Sequence, residues 1–464
     1  MTLDILIPSR NEQFLTHTID DILENIEGDT RIIVGLDGDW PIEPIPDDPR
    51  VTIYHTSESI GQRAITNQLA RLSKAHYLMK VDAHCAFDRG FDVKMMDAFK
   101  EVGDNVTMIP TMRNLHAFDW VCQCGNRLYQ GPTPEKCDKC GEQMKKEIVW
   151  NPKKNPQSNA YRFDRTMHFQ YWNDWANTQK GDLTETMSIQ GSCFMLTREK
   201  YWELDICSEN FHSWGQQGVE VACKTWLSGG RVLVNRRTWY AHMFRTQGGD
   251  FSFPYDNPES KVQENRNLSK ELFRDNKWEK AIHDFQWLLD KFNPPDWEEP
   301  TKGILYYTDN QLTLRIARPV RESLKKANLP ITSVSLKPMP WFGRNIHFEG
   351  QRSKLTMFKQ ILAGLESMTE DVVFLCEHDV VYHPSHFEFT PDKKDIFYYN
   401  KNVWRVREDD GFAVYFDHKS TSQLCAWRTL LIEEYRERVR RVEAEGFNGN
   451  GYEPGTRSIR RGGY

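Results

Sequence analysis

Short apolar runs and amphipathic stretches alternate through the first eighty or so residues, and no other feature of the chain restricts its fold as tightly. Leu3 to Ile7 is an apolar run closed by Pro8, and Phe14 to Ile26 carries apolar residues at helical spacing before Gly28. Ile32 to Leu36, Val51 to His55 and Tyr77 to Val81 read as further strands, with a helical pattern from Gln62 to Leu72. Strands that alternate with helices build a mostly parallel sheet, whose ligand sits outside the carboxyl ends of the strands. The polar loops after these strands are therefore where function is to be sought.

At 464 residues the chain exceeds a single core. The run from Asp119 to Gly141 breaks the pattern with four cysteines and reads as an insert spanning 119–145. A mixed helical segment, Lys270 to Phe292, ends at Asn293-Pro294-Pro295-Asp296, which places a domain boundary near residue 300. A second alternation follows: strand Ile304 to Tyr307, helix Leu314 to Ala327, strand Ile331 to Leu336, helix Lys354 to Met368, and strands Val372 to Cys376 and Ile396 to Tyr399. That is a smaller α/β domain over 301–445, closed by a helix from Leu424 to Glu445 and trailed by a glycine-rich tail, 446–464, expected to be flexible. No stretch approaches a membrane span, and Met1 to Pro8 lacks the basic head of a signal peptide. A soluble, cytoplasmic protein without a membrane partner is expected, its cysteines reduced unless a metal holds them. The formal charge of -6 argues weakly against a chain coated for nucleic acid, while leaving room for a local basic patch.

The sharpest motif is Val81-Asp82-Ala83-His84, which puts a carboxylate and an imidazole two residues apart, on one side of an extended chain at a strand end. Oxygen and nitrogen ligands suit Mn²⁺ or Mg²⁺, and such an ion neutralises a leaving diphosphate; a solvated strand end is the plain alternative. From here the chain resembles family 2 glycosyltransferases, and in particular the polypeptide N-acetylgalactosaminyltransferases, whose metal motif reads Asp-x-His. Ile7-Pro8-Ser9-Arg10-Asn11-Glu12 resembles the family's Pro-x-x-Asn-Glu opening; Leu36-Asp37-Gly38-Asp39 resembles its uracil loop; Gly61-Gln62-Arg63 with Asn67 resembles the segment facing the diphosphate. Gly191-Ser192-Cys193-Phe194, Trp214-Gly215-Gln216-Gln217-Gly218-Val219-Glu220 and Ala241-His242-Met243-Phe244-Arg245 resemble three further segments in the right order. The resemblance covers roughly the first 60% of the chain and implies a GT-A, Rossmann-like nucleotide-sugar domain over 1–300. It implies Mn²⁺ on Asp82, His84 and His242, and a UDP-sugar near Pro8, Arg10, Asn11, Asp37, Arg63, Asn67 and Arg245.

One departure bears on mechanism. Where the family has Trp-Gly-Gly-Glu-Asn, Gln216 and Gln217 stand, and an amide takes no proton from a hydroxyl at neutral pH. The change leans toward retention of configuration, with the departing phosphate oxygen as base; Gln217 and Glu220 remain the candidate catalytic residues of that segment. Cys122-Gln123-Cys124-Gly125 and Cys137-Asp138-Lys139-Cys140-Gly141 have the layout of a Cys₄ zinc ribbon, a structural site because four thiolates leave no open position. In the second domain, Glu377-His378-Asp379 repeats an apolar strand ending in acids one residue apart and resembles a degenerate Asp-x-Asp of another GT-A fold, with His383, His386 and His418 nearby. Glu377 and Asp379 are thus either a second Mn²⁺ site or an inert strand end.

The expected reaction is transfer of a sugar from a UDP-sugar to a hydroxyl. A zinc ribbon and an arginine-bearing tail (Arg457, Arg460, Arg461) on an intracellular enzyme fit a hydroxymethylpyrimidine in DNA, as in a bacteriophage that modifies its genome, the enzyme then working in the host cytoplasm. A protein Ser/Thr hydroxyl or a saccharide is the alternative acceptor. A catalytically silent sugar- or nucleic-acid-binding module on a transferase fold is the alternative of another class.

Overall fold

The computed structural model describes residues 1–212, 215–245, 248–255, 258–416 and 419–447, and the backbone of 461–463. It forms two compact units, Met1–Trp297 and Glu298–Tyr464. Trp214, His418 and the tail arginines Arg457 and Arg460 lie outside the described residues, as does the side chain of Arg461.

In the first unit every residue of β1 (Leu3–Ser9) is buried, as a strand covered on both faces requires. It pairs in parallel with β2 (Thr30–Asp37) on one side and β4 (Tyr77–Val81) on the other, and β2 pairs in parallel with β3 (Val51–Thr56). The one charge in β1, Asp4 near its start, is satisfied by the Arg31 fork at 3.0 and 3.1 Å and by the Ser73 hydroxyl at 2.6 Å. Helix α1 (Leu15–Asn25) buries Leu15, Ile19 and Ile22, the i, i+4, i+7 stripe that made it legible. Helix α2 (Gln62–Leu72) approaches β2 so closely that a Cβ on Gly35 would stand 2.6 Å from Ile65 Cγ1.

Beyond β4 the chain continues through β5 (Cys85–Phe87), α3 (Phe91–Val102), β6 (Val106–Val121), β7 (Arg127–Tyr129) and β8 (Lys145–Ser158). A small ribbon, β9 (Tyr161–Phe163) with β10 (Phe169–Tyr171), leads through α4 (Asn173–Thr178) to β11 (Leu183–Glu185), β12 (Cys193–Thr197), α5 (Arg198–Glu203), α6 (Gln217–Leu227) and β13 (Arg231–His242). The sheet runs β11-β13-β6-β12-β4-β1-β2-β3, with β12 antiparallel to β4 and β13 antiparallel to β5. Strand β6 is 16 residues long; from Met112 onward it pairs with β8 and then β7, so the cysteine loops ride on a ribbon continuous with the main sheet. Helices α7 (Glu259–Ser269) and α8 (Phe285–Phe292) follow. The mixed helical segment is interrupted: a π turn occupies Lys270–Arg274, and α8 starts only at Phe285, where Asp284 accepts a hydrogen bond from Trp287 N.

The second unit holds β14 (Lys302–Thr308), α9 (Leu314–Lys325), β15 (Ile331–Ser335), β16 (Arg344–His347), α10 (Lys354–Ser367), β17 (Val372–Glu377), β18 (Phe397–Tyr399), the hairpin β19 (Trp404–Val406) and β20 (Ala413–Tyr415), β21 (Leu424–Trp427) and α11 (Arg428–Glu445). Strands β16, β15, β14 and β17 are parallel neighbours in that order, and β21 adds antiparallel to β17. Leu424–Trp427, read from sequence as the start of the last helix, is instead a strand seated between β17 and β18. A four-residue apolar run fits either form, and the open sheet edge decided it. On α11, Arg438 is buried over the Phe358 and Tyr435 rings, while Arg436 pairs with Glu366 and Arg440 with Glu437.

His386 packs against Phe374, Tyr382 and Phe387, with Nδ1 2.9 Å from Asn400 Nδ2. Burial pulls its pKa down to about 4, against an ordinary value near 6.5. Its folded-state pKa is therefore depressed: the stabilisation is full above pH ~6.5 and is lost as pH falls toward ~4, because the unfolded chain takes up the proton first. The expected loss from this one residue is on the order of 2–3 kcal/mol across that window. Denaturant titrations at pH 7 and pH 4.5 should show a smaller difference for His386→Leu than for the native chain; equal differences would contradict the assignment.

Candidate active site

Strand β4 ends at Val81, and the next residues carry the site. The Asp82 N–H donates to Ser192 O at 2.9 Å, fixing the carboxylate beside the start of β12. Strand β13 then sets His242 opposite Cys85. As a result His242 Nε2 lies 3.1 Å from His84 Nε2 and 3.3 Å from Asp82 Oδ2. Two ring nitrogens facing each other beside a carboxylate are satisfied by a shared proton or by a cation, and this donor set suits a divalent metal. Asp82, His84 and His242 form one of two clusters among the described residues whose ligand atoms all lie within 4.8 Å of one another.

The surrounding charges prepare those donors. Burial pushes the Asp82 carboxyl up, but the Lys80 ammonium and then His242 and His84 outweigh it and hold the group far below the usual range. Lys80 is itself buried and donates to Asp82 Oδ1 and, at 2.9 Å, to Gly191 O, so Oδ2 is the oxygen turned to the histidines. Burial lowers His242 to about 4, which keeps the ring neutral and able to ligate; its buried Nδ1 has no hydrogen-bond partner among the described residues. Behind His84, Glu12 lies 3.2 Å from Nδ1 and is also bound by Arg245, the outer carboxylate that orients a ligating imidazole. Burial opposes ionisation of Glu12, yet His84 and Arg245 together bring its pKa below the ordinary value.

A cavity of about 390 Å³ opens over the trio. Pro8, Gln190, Gly191, Gln217, Arg245 and Tyr255 are among its walls. Of the residues assigned from sequence to the nucleotide, Pro8 and Arg245 face this cavity. Arg10 donates to Asp37 O at 3.0 Å and pairs with Asp39 at 3.5 Å, and Asn11 is exposed with φ 47°. Asp37 is fully buried and ties down the loop between β3 and α2 through Ser59 Oγ at 2.9 Å, Ile60 N at 2.6 Å and Gly61 N at 3.0 Å.

Three residues assigned from sequence to the nucleotide or to catalysis have other partners. Arg63 is turned away from the cavity and buried, where it donates to Glu220 and, at 2.8 Å, to Gly215 O. Asn67, on the same face of α2, donates to Cys207 O at 3.1 Å and Glu209 at 3.0 Å and accepts from Tyr201 at 2.7 Å. Glu220 is wholly buried, bound by Arg63, by Lys224 at 2.7 Å and by Ser208 N at 2.9 Å; burial raises it, but the two cations prevail and its pKa is lowered. A carboxylate so enclosed is poorly placed to take a proton from an acceptor; Arg63 and Glu220 tie α2 to α6, and Asn67 ties α2 to the 207–209 loop and to Tyr201 of α5. Sequence reasoning passed over Lys80 and Glu12 as site residues; a lone lysine inside the apolar run Leu78-Met79-Lys80-Val81 was the signal for a buried partner.

The other cluster is Cys122, Cys124, Cys137 and Cys140, with Cys122 Sγ 3.3 Å from Cys140 Sγ and Cys124 Sγ 3.7 Å from Cys137 Sγ. All four are free thiols. Gly125 N donates to Cys122 O and Gly141 N to Cys137 O, with φ of 83° and 77°, the left-handed turns that wrap backbone around each pair. Burial raises the Cys137 thiol, but the N–H groups of Lys139 and Cys140 and the Asn126 amide bring it down to about 6. A ready thiolate among converging sulfurs fits Zn²⁺.

In the second unit, Glu377 ends β17 and accepts from Tyr307 Oη at 2.7 Å, whereas Asp379 is exposed in the turn that follows. The expectation that the pair shares a cation needs extended chain through residue 379, and the strand stops two residues earlier. Neither acid belongs to a metal-capable cluster among the described residues.

A parallel β1-β2-β3-β4 sheet that ends in an Asp-x-His metal trio over a cavity is a GT-A nucleotide-sugar fold. Residues 4–121 match the family model for glycosyl transferase family 2. Over 207 residues the chain is 21% identical to putative polypeptide N-acetylgalactosaminyltransferase 13 of Drosophila melanogaster, covering 44% of this chain and 31% of that protein. Over 302 residues it is 20% identical to polypeptide N-acetylgalactosaminyltransferase 13 of Homo sapiens, covering 65% and 44%. The chain thus spans less than half the length of these curated relatives. Among solved structures it is similar to GalNAc-T7 with UDP, GalNAc and Mn²⁺, at 15% identity and TM-score 0.45 over 63% of this chain and 55% of that one. It is also similar to S. aureus TarS 1–349 in complex with UDP-GlcNAc, at 12% identity and TM-score 0.36 over 63% and 72%. The chain carries a glycosyl transferase family 2 domain homologous to the polypeptide N-acetylgalactosaminyltransferases.

Two outcomes follow from this geometry. Glu220→Gln is expected to cost about 3 kcal/mol or more of stability, because it leaves Arg63 and Lys224 buried without their anion; thermal denaturation checks it, and an unaltered melting temperature with a displaced pH–rate profile would restore Glu220 to catalysis. Elemental analysis is expected to find about one zinc per chain, lost in Cys137→Ser. Full zinc content in that variant would refute the cluster as its site.

Proposed function

We propose that the first unit is a UDP-sugar-dependent glycosyltransferase whose Mn²⁺, or a similar divalent ion, is held by Asp82, His84 and His242. The observation that carries this reading is the convergence of those three donors at the carboxyl end of β4, beneath a cavity of about 390 Å³. When bound, the metal supplies charge neutralisation for the departing diphosphate. Lys80 keeps Asp82 ionised, Glu12 orients His84, and Arg245 adds a cation at the cavity wall. Pro8 belongs to the nucleotide side, while Gln217 at the start of α6 is spaced to contact the sugar or its acceptor.

Retention is the stereochemistry this arrangement favours. Among the described residues lining the cavity the carboxylates are Glu12 and Asp82, and both are engaged by His84, Arg245, Lys80 or His242. With no carboxylate available as a base, the leaving phosphate oxygen takes the acceptor proton. For the acceptor we favour a hydroxymethylpyrimidine in DNA: the ribbon exposes Lys136, Lys139, Lys145, Lys153 and Lys154, which outnumber the acids exposed among them, Glu135, Asp138, Glu142 and Glu147, and can meet phosphates. The relatives' names favour a protein hydroxyl as the second reading.

Asp82→Ala and His242→Ala are each expected to abolish sugar transfer and to lose Mn²⁺ while the chain stays folded. Transfer is read by mass spectrometry with UDP-sugars against hydroxymethylated DNA, a Ser/Thr peptide and an oligosaccharide. Normal transfer by Asp82→Ala would end the metal assignment, and no UDP release with any donor would favour a silent binding module.

A further inference from the structure

The second unit contains a cavity of about 430 Å³ that plays no part in the reading above. Its position follows from topology. From β14 the chain crosses to β15 and β16 on one side, then returns through α10 to β17 on the other, so the loops leaving β14 and β17 part in opposite directions. In open α/β sheets that divergence opens a crevice outside the strand ends, where ligands bind. Thr308 and Asp309 where β14 ends, Glu377 and His378 where β17 ends, and Ser353 and Lys354 at the start of α10 all line it.

The lining has two chemical sides. On the helix side stand Arg352 and Lys354, the latter without an ion-pair partner among the described residues, at the N-terminus of a 14-residue helix capped by Ser353. That end of a helix favours an anion, phosphate above all. On the strand side, Asp309 lies 2.8 Å from Arg352 and 3.5 Å from His378 Nδ1, and Thr308 Oγ1 is 2.8 Å from the same nitrogen. The imidazole is thereby held with Nε2 unpaired among the described residues.

Gln360 sets a rigid acceptor at the cavity wall. It is 3% exposed, and its amide nitrogen donates to Thr308 O at 3.0 Å and Val334 O at 3.4 Å. Its carbonyl oxygen accepts from nothing among the described residues, on a side chain that lines the cavity. That oxygen is open to the cavity, where water or a ligand hydroxyl can donate to it. Together the groups ask for a molecule with an anionic end and several hydroxyls, and the volume suits one of that size.

We propose that this crevice binds the phosphate ester of a sugar, with the phosphate at Arg352, Lys354 and the first turn of α10 and the hydroxyls at Asp309, Glu377 and Gln360. Leu336 and Met357 form the apolar part of the wall. The site needs no metal and is independent of the donor site in the first unit.

Isothermal titration of the full chain in EDTA tests this, with UMP, glucose 1-phosphate and inorganic phosphate as probes. At least one of the two esters should bind at one site per chain. Its affinity should fall tenfold or more in Arg352→Ala/Lys354→Ala, which alters exposed side chains, and in Asp309→Asn, but should persist in Asp82→Ala. Failure of both esters to bind overturns the proposal. So does loss of binding in Asp82→Ala with retention in Arg352→Ala/Lys354→Ala, which assigns the ligand to the first unit. Inorganic phosphate binding as tightly as the esters also overturns it, because the crevice is then an anion patch without sugar recognition.

Discussion

The pairing of β13 with β5 is the contact on which the candidate active site depends. Its register seats His242 opposite Cys85, next to His84, and so closes a chain separation of 158 residues to 3.1 Å between two ring nitrogens. His84 lies in the short connection between β4 and β5 and His242 ends β13, so the flanking strands have already met much of the entropy of fixing both rings. Rigid strands on both sides bring the donors together before any ion arrives, which is what tight, selective coordination needs.

Buried charge serves two purposes in the first unit, and burial alone does not tell them apart. Arg63, Glu220 and Lys224 form a closed network: each charge has its partner, none faces the cavity, and the result is cohesion between α2 and α6. Lys80, Asp82, His84, His242, Glu12 and Arg245 form an open one. Its charges are also paired, yet the facing lone pairs of His84, His242 and Asp82 converge on one point at the cavity floor. Orientation toward a shared space, rather than depth, separates the group that can do chemistry from the group that holds the fold.

The sheet of the second unit uses the same rule with different residues. Apolar strands buried on both faces again end in polar loops, but the turn after β17 sends Asp379 out to solvent, and β21 adds antiparallel to that strand. Among the described residues, the likeness to the first unit that the spacing Glu377-His378-Asp379 suggested does not extend to a cluster of three ligands. What the strand ends share is position: Asp309 after β14 and His378 after β17 line a cavity together with Gln360 of α10.

Much of the fold could be read from local pattern. The strands from Leu3 to Val81, helices α1 and α2, and the alternation after residue 300 each depend on neighbours within a few residues, which periodicity records directly. The Asp82-x-His84 pair and the four cysteines were legible for the same reason, since their spacing is itself the geometry. Boundaries that a neighbour in space decides were not: Leu424–Trp427 became a strand because β17 and β18 left a place for it, and β16 was missed altogether. Side-chain direction escaped too. Arg63, Asn67 and Glu220 stand in segments that resemble a binding site, and only packing of α2 against the loop before α6 turned them inward. Sequence determined which residues were able to bind metal, zinc or phosphate, because that is a property of each side chain. Tertiary structure decided which of them meet, because pairing of strands far apart in the chain and the cost of burying a charge without a partner are settled only when the whole unit has closed.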